Sequence, residues 1–123
     1  MKRSSPRAHR VGDQIQRELA DLLKNEVKDP RVGPVTITGV DVSADLSHAT
    51  VRFTHLAGRE SAEAAVNALT RTAGFLRSEL GRRLNLYSPP QLHFAYDDSI
   101  ESGMRMSQLI DEAIAEDKKH PVD

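Results

Sequence analysis

Arg71, Arg77, Arg82 and Arg83 crowd a short stretch of this chain around the run Thr72, Ala73, Gly74, Phe75. At 100° per residue, Arg71, Phe75, Ser78 and Arg82 fall on the face of a helix opposite its leucines, with Arg77 and Arg83 on the flanks. Such a face suits phosphate, and Gly74 offers a place where another backbone can come close. Phe75 on that face could stack on an unpaired base, an interaction worth about 1 to 3 kcal/mol. The same phenylalanine could equally be a core residue. A second basic set lies in the series Arg7, Arg10, Gln14, Arg17, Asp21, Lys24, Lys28, where five of seven positions three and four apart are cationic, with Arg31 just beyond. Nucleic acid is therefore the ligand class the charges suggest, although two solvated helix faces would account for the same residues.

Other chemistries find less support. His9, His48, His55, His93 and His120 are scattered, with no pair at the i, i+4 spacing of a helical metal site. There is no nucleophile elbow and no Gly-rich phosphate loop. Asp97, Asp98 and Glu101 could hold magnesium, but helix capping explains the same carboxylates. Ser99 and Ser102 have no evident base to activate them. No catalytic residue, metal or cofactor is expected. A small ribonuclease relying on Asp97, Asp98 and Glu101 is the third reading. A helix in a DNA major groove is disfavoured, because strands separate the basic helices and no helix-turn-helix spacing occurs.

The elements that must position these residues can be read from periodicity. Ser5 and Pro6 make a helix start, and Val11, Ile15, Leu19, Leu22 and Leu23 give an apolar stripe running to about Lys28. Asp29 to Pro34 stops it. Val35 to Ser43 reads as a strand whose phase slips at Gly39, as at a β-bulge, and Ala49 to Thr54 as its hairpin partner across Ala44–Ser47. Ser61 can cap a helix reaching Gly74 and resuming toward Leu86. A glycine there costs about 1 kcal/mol relative to alanine, which suggests a kink. Tyr87, Ser88, Pro89 and Pro90 break the pattern, and Leu92, Phe94 and Tyr96 mark a third strand. Asp97, Asp98 and Ser99 can cap a short final helix carrying Met106, Leu109, Ile110, Ala113 and Ile114. The expected architecture is α+β, with helices layered on a three-stranded sheet.

The chain has 123 residues, 38% hydrophobic and 28% charged, enough for one domain with an aliphatic core. Without cysteine it has no disulfide or Cys-ligated metal. No apolar run approaches the roughly 20 residues of a membrane span, and Met1 to Pro6 leads into a helix and not an apolar signal region, so a cytoplasmic protein is expected. The net charge of -1 hides an asymmetry: residues 1–31 and 71–83 each carry +3, and residues 97–123 carry -5. The two basic segments suit one anionic partner if the fold unites them on a single surface, with the acidic end facing away.

Several runs resemble the bacterial ribosome-binding factor A family over nearly the full length. They are Arg10, Val11 and Ile15; Lys28 to Arg31; Val35 to Val40; Ser43 to Ala49; Gly74 to Arg77; and Pro90 to Ser99 before Gly103. The resemblance implies a single type II KH-like domain, in the order α-β-β-α-kink-α-β with a short C-terminal helix. It spans residues 1–115, with 116–123 as a polar tail. An Ala-x-Gly kink replaces the GxxG loop of ordinary KH domains, and no two glycines here are three apart. The matching segment is Thr72, Ala73, Gly74, with threonine where the family has alanine, and its hydroxyl is placed to bond a backbone carbonyl.

By resemblance, the function is late assembly of the small ribosomal subunit. It includes support for 5′-end processing of its RNA, most important in the cold, and release by an assembly GTPase. The partners would be the subunit's RNA and neighbouring ribosomal proteins, not DNA or membrane, and the protein would act as a monomer. The RNA-contacting residues would be Arg7, Arg10, Arg17, Lys24, Lys28, Arg31, Arg71, Thr72, Ala73, Gly74, Phe75, Arg77, Arg82 and Arg83. The alternative is an adaptor that binds a ribosomal protein or GTPase through the amphipathic final helix.

Overall fold

The computed structural model describes residues 5–119, with side chains through residue 114. Helix α1 (Pro6–Asn25) starts as its sequence dictates: Ser5 has extended backbone, and its hydroxyl accepts the Ala8 amide at 3.1 Å. It ends three residues earlier than the periodicity suggests, because the Glu26 and Val27 amides both fold back on the Leu22 carbonyl. Lys28 and Arg31 therefore lie in the connection to β1.

Strands β1 (Val35–Val42) and β2 (His48–His55) pair antiparallel, with the expected bulge as a register shift between Ile37 and Gly39. A 3-10 turn (Arg59–Ser61) leads into α2 (Ala62–Arg83), which crosses over to β3 (Gln91–Tyr96). β3 pairs parallel to β2, as a strand reached through a helical crossover can, giving the order β1-β2-β3. The α+β class and the KH-like order hold.

Two details differ from expectation. The two helical halves anticipated around Gly74 form one unbroken α-helix of 22 residues. Burial of Leu69, Leu76 and Leu80 on one side of that helix outweighs the glycine's cost of about 1 kcal/mol. The final helix α3 (Ser99–Lys119) has 21 residues and is not short. Of the tail expected at 116–123, residues 116–119 continue α3 and 120–123 lie outside the described residues.

Alternation divides the sheet into a dry and a wet face. Ile37, Val42, Ala49, Val51 and Phe53 meet Ile15, Leu19 and Leu22 of α1 and Leu69, Leu76 and Leu80 of α2 in a single core. Each such aliphatic or aromatic side chain contributes about 1.5–3 kcal/mol by its burial. α1 lies over β1 and α2 over β3, so both helices form one layer on the same face. Gly12 permits the α1–β1 approach, since a Cβ there would stand 2.8 Å from the Val40 carbonyl oxygen. The opposite face carries Asp41, Thr50, Arg52, Gln91 and His93.

Candidate nucleic-acid interface

The basic series on α1 is fully outward: Arg7, Arg10, Gln14, Arg17, Asp21 and Lys24 are all exposed, as is Lys28 in the connection that follows. At 1.5 Å per residue, Arg7 to Lys24 spans about 25 Å. Among the described residues, Arg7, Arg10, Arg17, Lys24, Lys28 and Arg71 enter no ion pair. Lys24 and Arg71 attract Asp21 and Asp29 without pairing with them.

The remaining cations of the expected set are committed. Arg31 forms a two-pronged pair with Asp29, through Nε at 2.9 Å and Nη2 at 3.0 Å. Arg82 meets Glu79 at 2.6 Å. Arg83, whose side chain is 20% exposed, reaches Asp21 at 2.7 Å and Glu18 at 3.1 Å, both on α1. It is a clamp between the two helices. Arg77 donates Nε–H to the Pro89 carbonyl at 2.9 Å and fixes the loop between α2 and β3.

The pairings leave electrostatic signatures. Hydrogen bonds from Arg31 hold the Asp29 carboxyl below its usual range, with a smaller pull from Arg71. Hydrogen bonds from Arg83 and Asn25 do the same for Asp21, aided by Lys24. Arg82 is raised chiefly by Glu79, and it also feels Glu26 beyond the end of α1. The Arg83 bonds to Glu18 and Asp21 set the C-terminal end of α2, which carries Arg82, beside the second half of α1. The two basic segments share one side of the sheet.

At the centre of α2, Gly74 is exposed, and a Cβ there would meet nothing within 4 Å. Phe75 is 47% exposed and so is not a core residue. Ala73 and Thr72 are half-buried, and the Thr72 hydroxyl donates to the Leu69 carbonyl at 2.9 Å. The carboxylates considered for metal each have a protein donor. Asp97 accepts from Thr38 Oγ1 at 2.6 Å and from the Ser99 amide at 2.9 Å, Asp98 faces Arg59, and Glu101 accepts from the Tyr96 hydroxyl.

Sequence reasoning missed three features. Gly12 sits within a regular helical pattern that gives no hint of a sheet carbonyl beneath it. His48 and His93 come within hydrogen-bonding distance across β2 and β3, at 2.9 Å between Nδ1 and Nε2, a meeting set by a parallel register that no local pattern reveals. Tyr87, read only as part of a chain-breaking run, is fully exposed. An aromatic residue immediately before Ser-Pro-Pro was the available signal.

The family model for ribosome-binding factor A matches residues 7–110. Ribosome-binding factor A of Thioalkalivibrio sulfidiphilus is 56% identical over 100% of this chain and 96% of its own length. That of Pseudomonas fluorescens is 51% identical over 98% and 94%. The crystal structure of the factor from Thermus thermophilus superposes with a TM-score of 0.64 at 28% identity, covering 72% of this chain and 94% of that one. A homology model of the Thermus thermophilus factor, fitted into a cryo-electron-microscopy map of its complex with 30S, gives 0.62 at 30%, covering 75% and 96%. With the family's sequence pattern carried on the family's fold, this chain belongs to the ribosome-binding factor A family.

Proposed function

We propose that this protein binds the immature small ribosomal subunit and contacts its RNA through the helical layer. Arg7, Arg10, Arg17, Lys24 and Lys28 of the α1 side and Arg71 of α2 supply the phosphate contacts. Gly74 and Phe75 form the part of α2 against which RNA can come closest. The observation that carries this reading is the row of exposed, unpaired cations along α1, on the same side of the sheet as Arg71. A relative's homology model fitted into the map of a 30S complex supports the choice of partner.

Binding of this kind needs no bond-making chemistry. RNA helices trapped in wrong pairings escape more slowly in the cold, and a factor that prefers one arrangement shifts the population toward it. The protein aids late maturation and 5′-end processing of small-subunit RNA in this way, as a cytoplasmic monomer released by an assembly GTPase. Arg31, Arg82 and Arg83, already paired within the protein, serve mainly to shape the surface.

The test is binding of the purified protein to immature small subunits across a salt series. Each phosphate contact contributes a logarithmic slope of roughly -0.7 to -0.9, so six contacts give about -4 to -5. Arg17→Glu with Lys24→Glu should lower both affinity and slope. An unchanged slope in that variant would remove α1 from the interface.

A second reading has its own observation. Ile100, Met104, Met106, Leu109, Ile110 and Ile114 of α3 are each at least 49% exposed. Such a face suits a protein partner, a ribosomal protein or the GTPase. Met106→Glu with Ile110→Glu would weaken such an interface with little change in salt slope.

A further inference from the structure

A groove of about 380 Å³ opens where the first turns of α1, the turn between β1 and β2, and the loop from α2 to β3 converge. Val11, Leu86 and Pro90 give it apolar walls, while Arg7, Asp45 and Tyr87 bring polar chemistry. Small-ligand pockets begin at about 300 Å³, so the space suits one nucleoside unit and is too small for a duplex.

Tyr87 is fully exposed, yet the loop that carries it is tied down on every side. The Leu86 amide donates to the Gly81 carbonyl at 2.9 Å, Arg77 holds the Pro89 carbonyl, and the Gln91 amide donates to the Ser47 carbonyl at 2.9 Å. Gly81 is part of the same anchorage, because a Cβ there would press on Pro89 Cγ at 3.2 Å. Two consecutive prolines further restrict the backbone. The ring is thus presented to solvent with little conformational entropy left to lose on binding.

Leu46, with φ 63°, lines the groove in the left-handed region, a conformation that a branched aliphatic residue keeps only where its surroundings over-determine it. Asn85, with φ 55°, is the left-handed cap that ends α2 and, through the Leu86 amide on the Gly81 carbonyl, fixes where the loop begins.

We propose that this groove receives one unpaired nucleotide of RNA, its base stacked on Tyr87 and its phosphate on Arg7 and the neighbouring Arg10. The proposal rests on the reading of α1 as an RNA-binding helix, since Arg7 and Arg10 begin the cationic row that continues to Arg17 and Lys24. Asp45 sets the orientation. Its Oδ1 already accepts from Ser43 Oγ, Ser47 Oγ and the Ser47 amide, and bonds from Ser47 and Ser43 hold it ionised. A phosphate at the β1–β2 turn would be repelled, so the phosphate lies toward α1 and the base toward the loop. Stacking is tolerant of base identity, so this site recognises an unpaired base more than a particular one.

The experiment titrates the full-length protein with single-stranded hexa-adenylate and with a 12-base-pair RNA duplex. Fluorescence anisotropy reads affinity, and amide chemical shifts read location. Hexa-adenylate should move the Leu86, Tyr87, Ser88 and Gln91 amides. Tyr87→Ala should weaken it by about tenfold, within the roughly 5- to 150-fold expected for loss of one stacked base. Tyr87→Phe should stay within about twofold, because the ring and not the hydroxyl makes the contact. Neither variant should change the melting temperature, since the side chain is fully exposed to solvent, and duplex binding should be indifferent to both.

Equal hexa-adenylate affinity in wild type and Tyr87→Ala overturns the proposal, as does binding that leaves the loop amides unmoved, or no binding at all. Equal losses for duplex and single strand overturn it too, because the site would not be reading an unpaired base. If Tyr87→Ala is neutral while Arg17→Glu still weakens particle binding, the groove falls and the RNA-binding helix stands. If both are neutral, both readings fall.

Discussion

Replacing Gly74 by alanine is expected to stabilise this protein. The sequence suggests a break at this glycine, and in the structure α2 runs through it as one continuous helix. In the continuous helix the position has no positive φ, and a Cβ would meet nothing within 4 Å, so the methyl group causes no strain. What remains is propensity, worth about 1 kcal/mol in favour of alanine. Unfolding entropy of about 2.1 cal/mol/K per residue amounts to about 0.26 kcal/mol/K for a chain of 123 residues. The melting temperature should therefore rise by about 4 °C, and the urea midpoint should rise at constant m-value. A lower melting temperature would refute this reasoning, since it would mean that position 74 needs a conformation alanine cannot adopt. The same variant separates stability from function. If RNA approaches the bare backbone at Gly74, Gly74→Ala will bind the immature subunit more weakly while being the more stable protein.

Three other substitutions test the frame. Gly12→Ala should have the opposite sign: its Cβ would meet the Val40 carbonyl at 2.8 Å, and overpacking of about 1–3 kcal/mol exceeds the helix gain, lowering the urea midpoint. Arg83→Ala should lower the urea midpoint more than Arg71→Ala while leaving the salt slope of particle binding nearly intact, because Arg83 is spent on Glu18 and Asp21. A slope that fell as much for Arg83→Ala as for Arg17→Ala would contradict the division into engaged and free cations. The Asp97 carboxyl is held down to about 2 by bonds from Thr38 and Ser99, with Arg52 adding attraction. Its folded value lies below the unfolded one, so its stabilisation is present above about pH 4 and is lost as pH falls toward 2, and Asp97→Asn should flatten the midpoint over that window.

The sequence was most legible where a single side chain or local period decides the outcome. Ser5 with Pro6 marks one helix boundary, and the bulge at Gly39 announces itself as a slip between Ile37 and Val40. The exposed row on α1 follows directly from residues three and four apart. Legibility failed where the deciding contact comes from elsewhere in the chain. Gly74 carries a local signal for a break, but Leu69, Leu76 and Leu80 pack into a core shared with strands distant in sequence, and the helix continues through it. The partners of the arginines were hidden in the same way. Nothing near Arg83 in sequence says that Glu18 and Asp21 will stand opposite, or near Arg77 that the Pro89 carbonyl will accept its hydrogen bond.

That division of labour among cations has a consequence for how the surface works. On a mobile scaffold the ligand would have to order the backbone as well as the side chains, each of which costs about 0.5–1.5 kcal/mol to immobilise on binding. Here the helices carrying the free cations are fixed first, by the shared core and by Arg83 reaching across from α2 to α1. The row from Arg7 to Lys24 keeps its spacing before any partner arrives. On the proposed reading Arg83 thus acts on binding indirectly, by holding the helices on which the unpaired cations are displayed. On that reading, affinity for phosphate and rigidity of the surface fall to different residues, so a charge count over the sequence would overestimate the number of contacts.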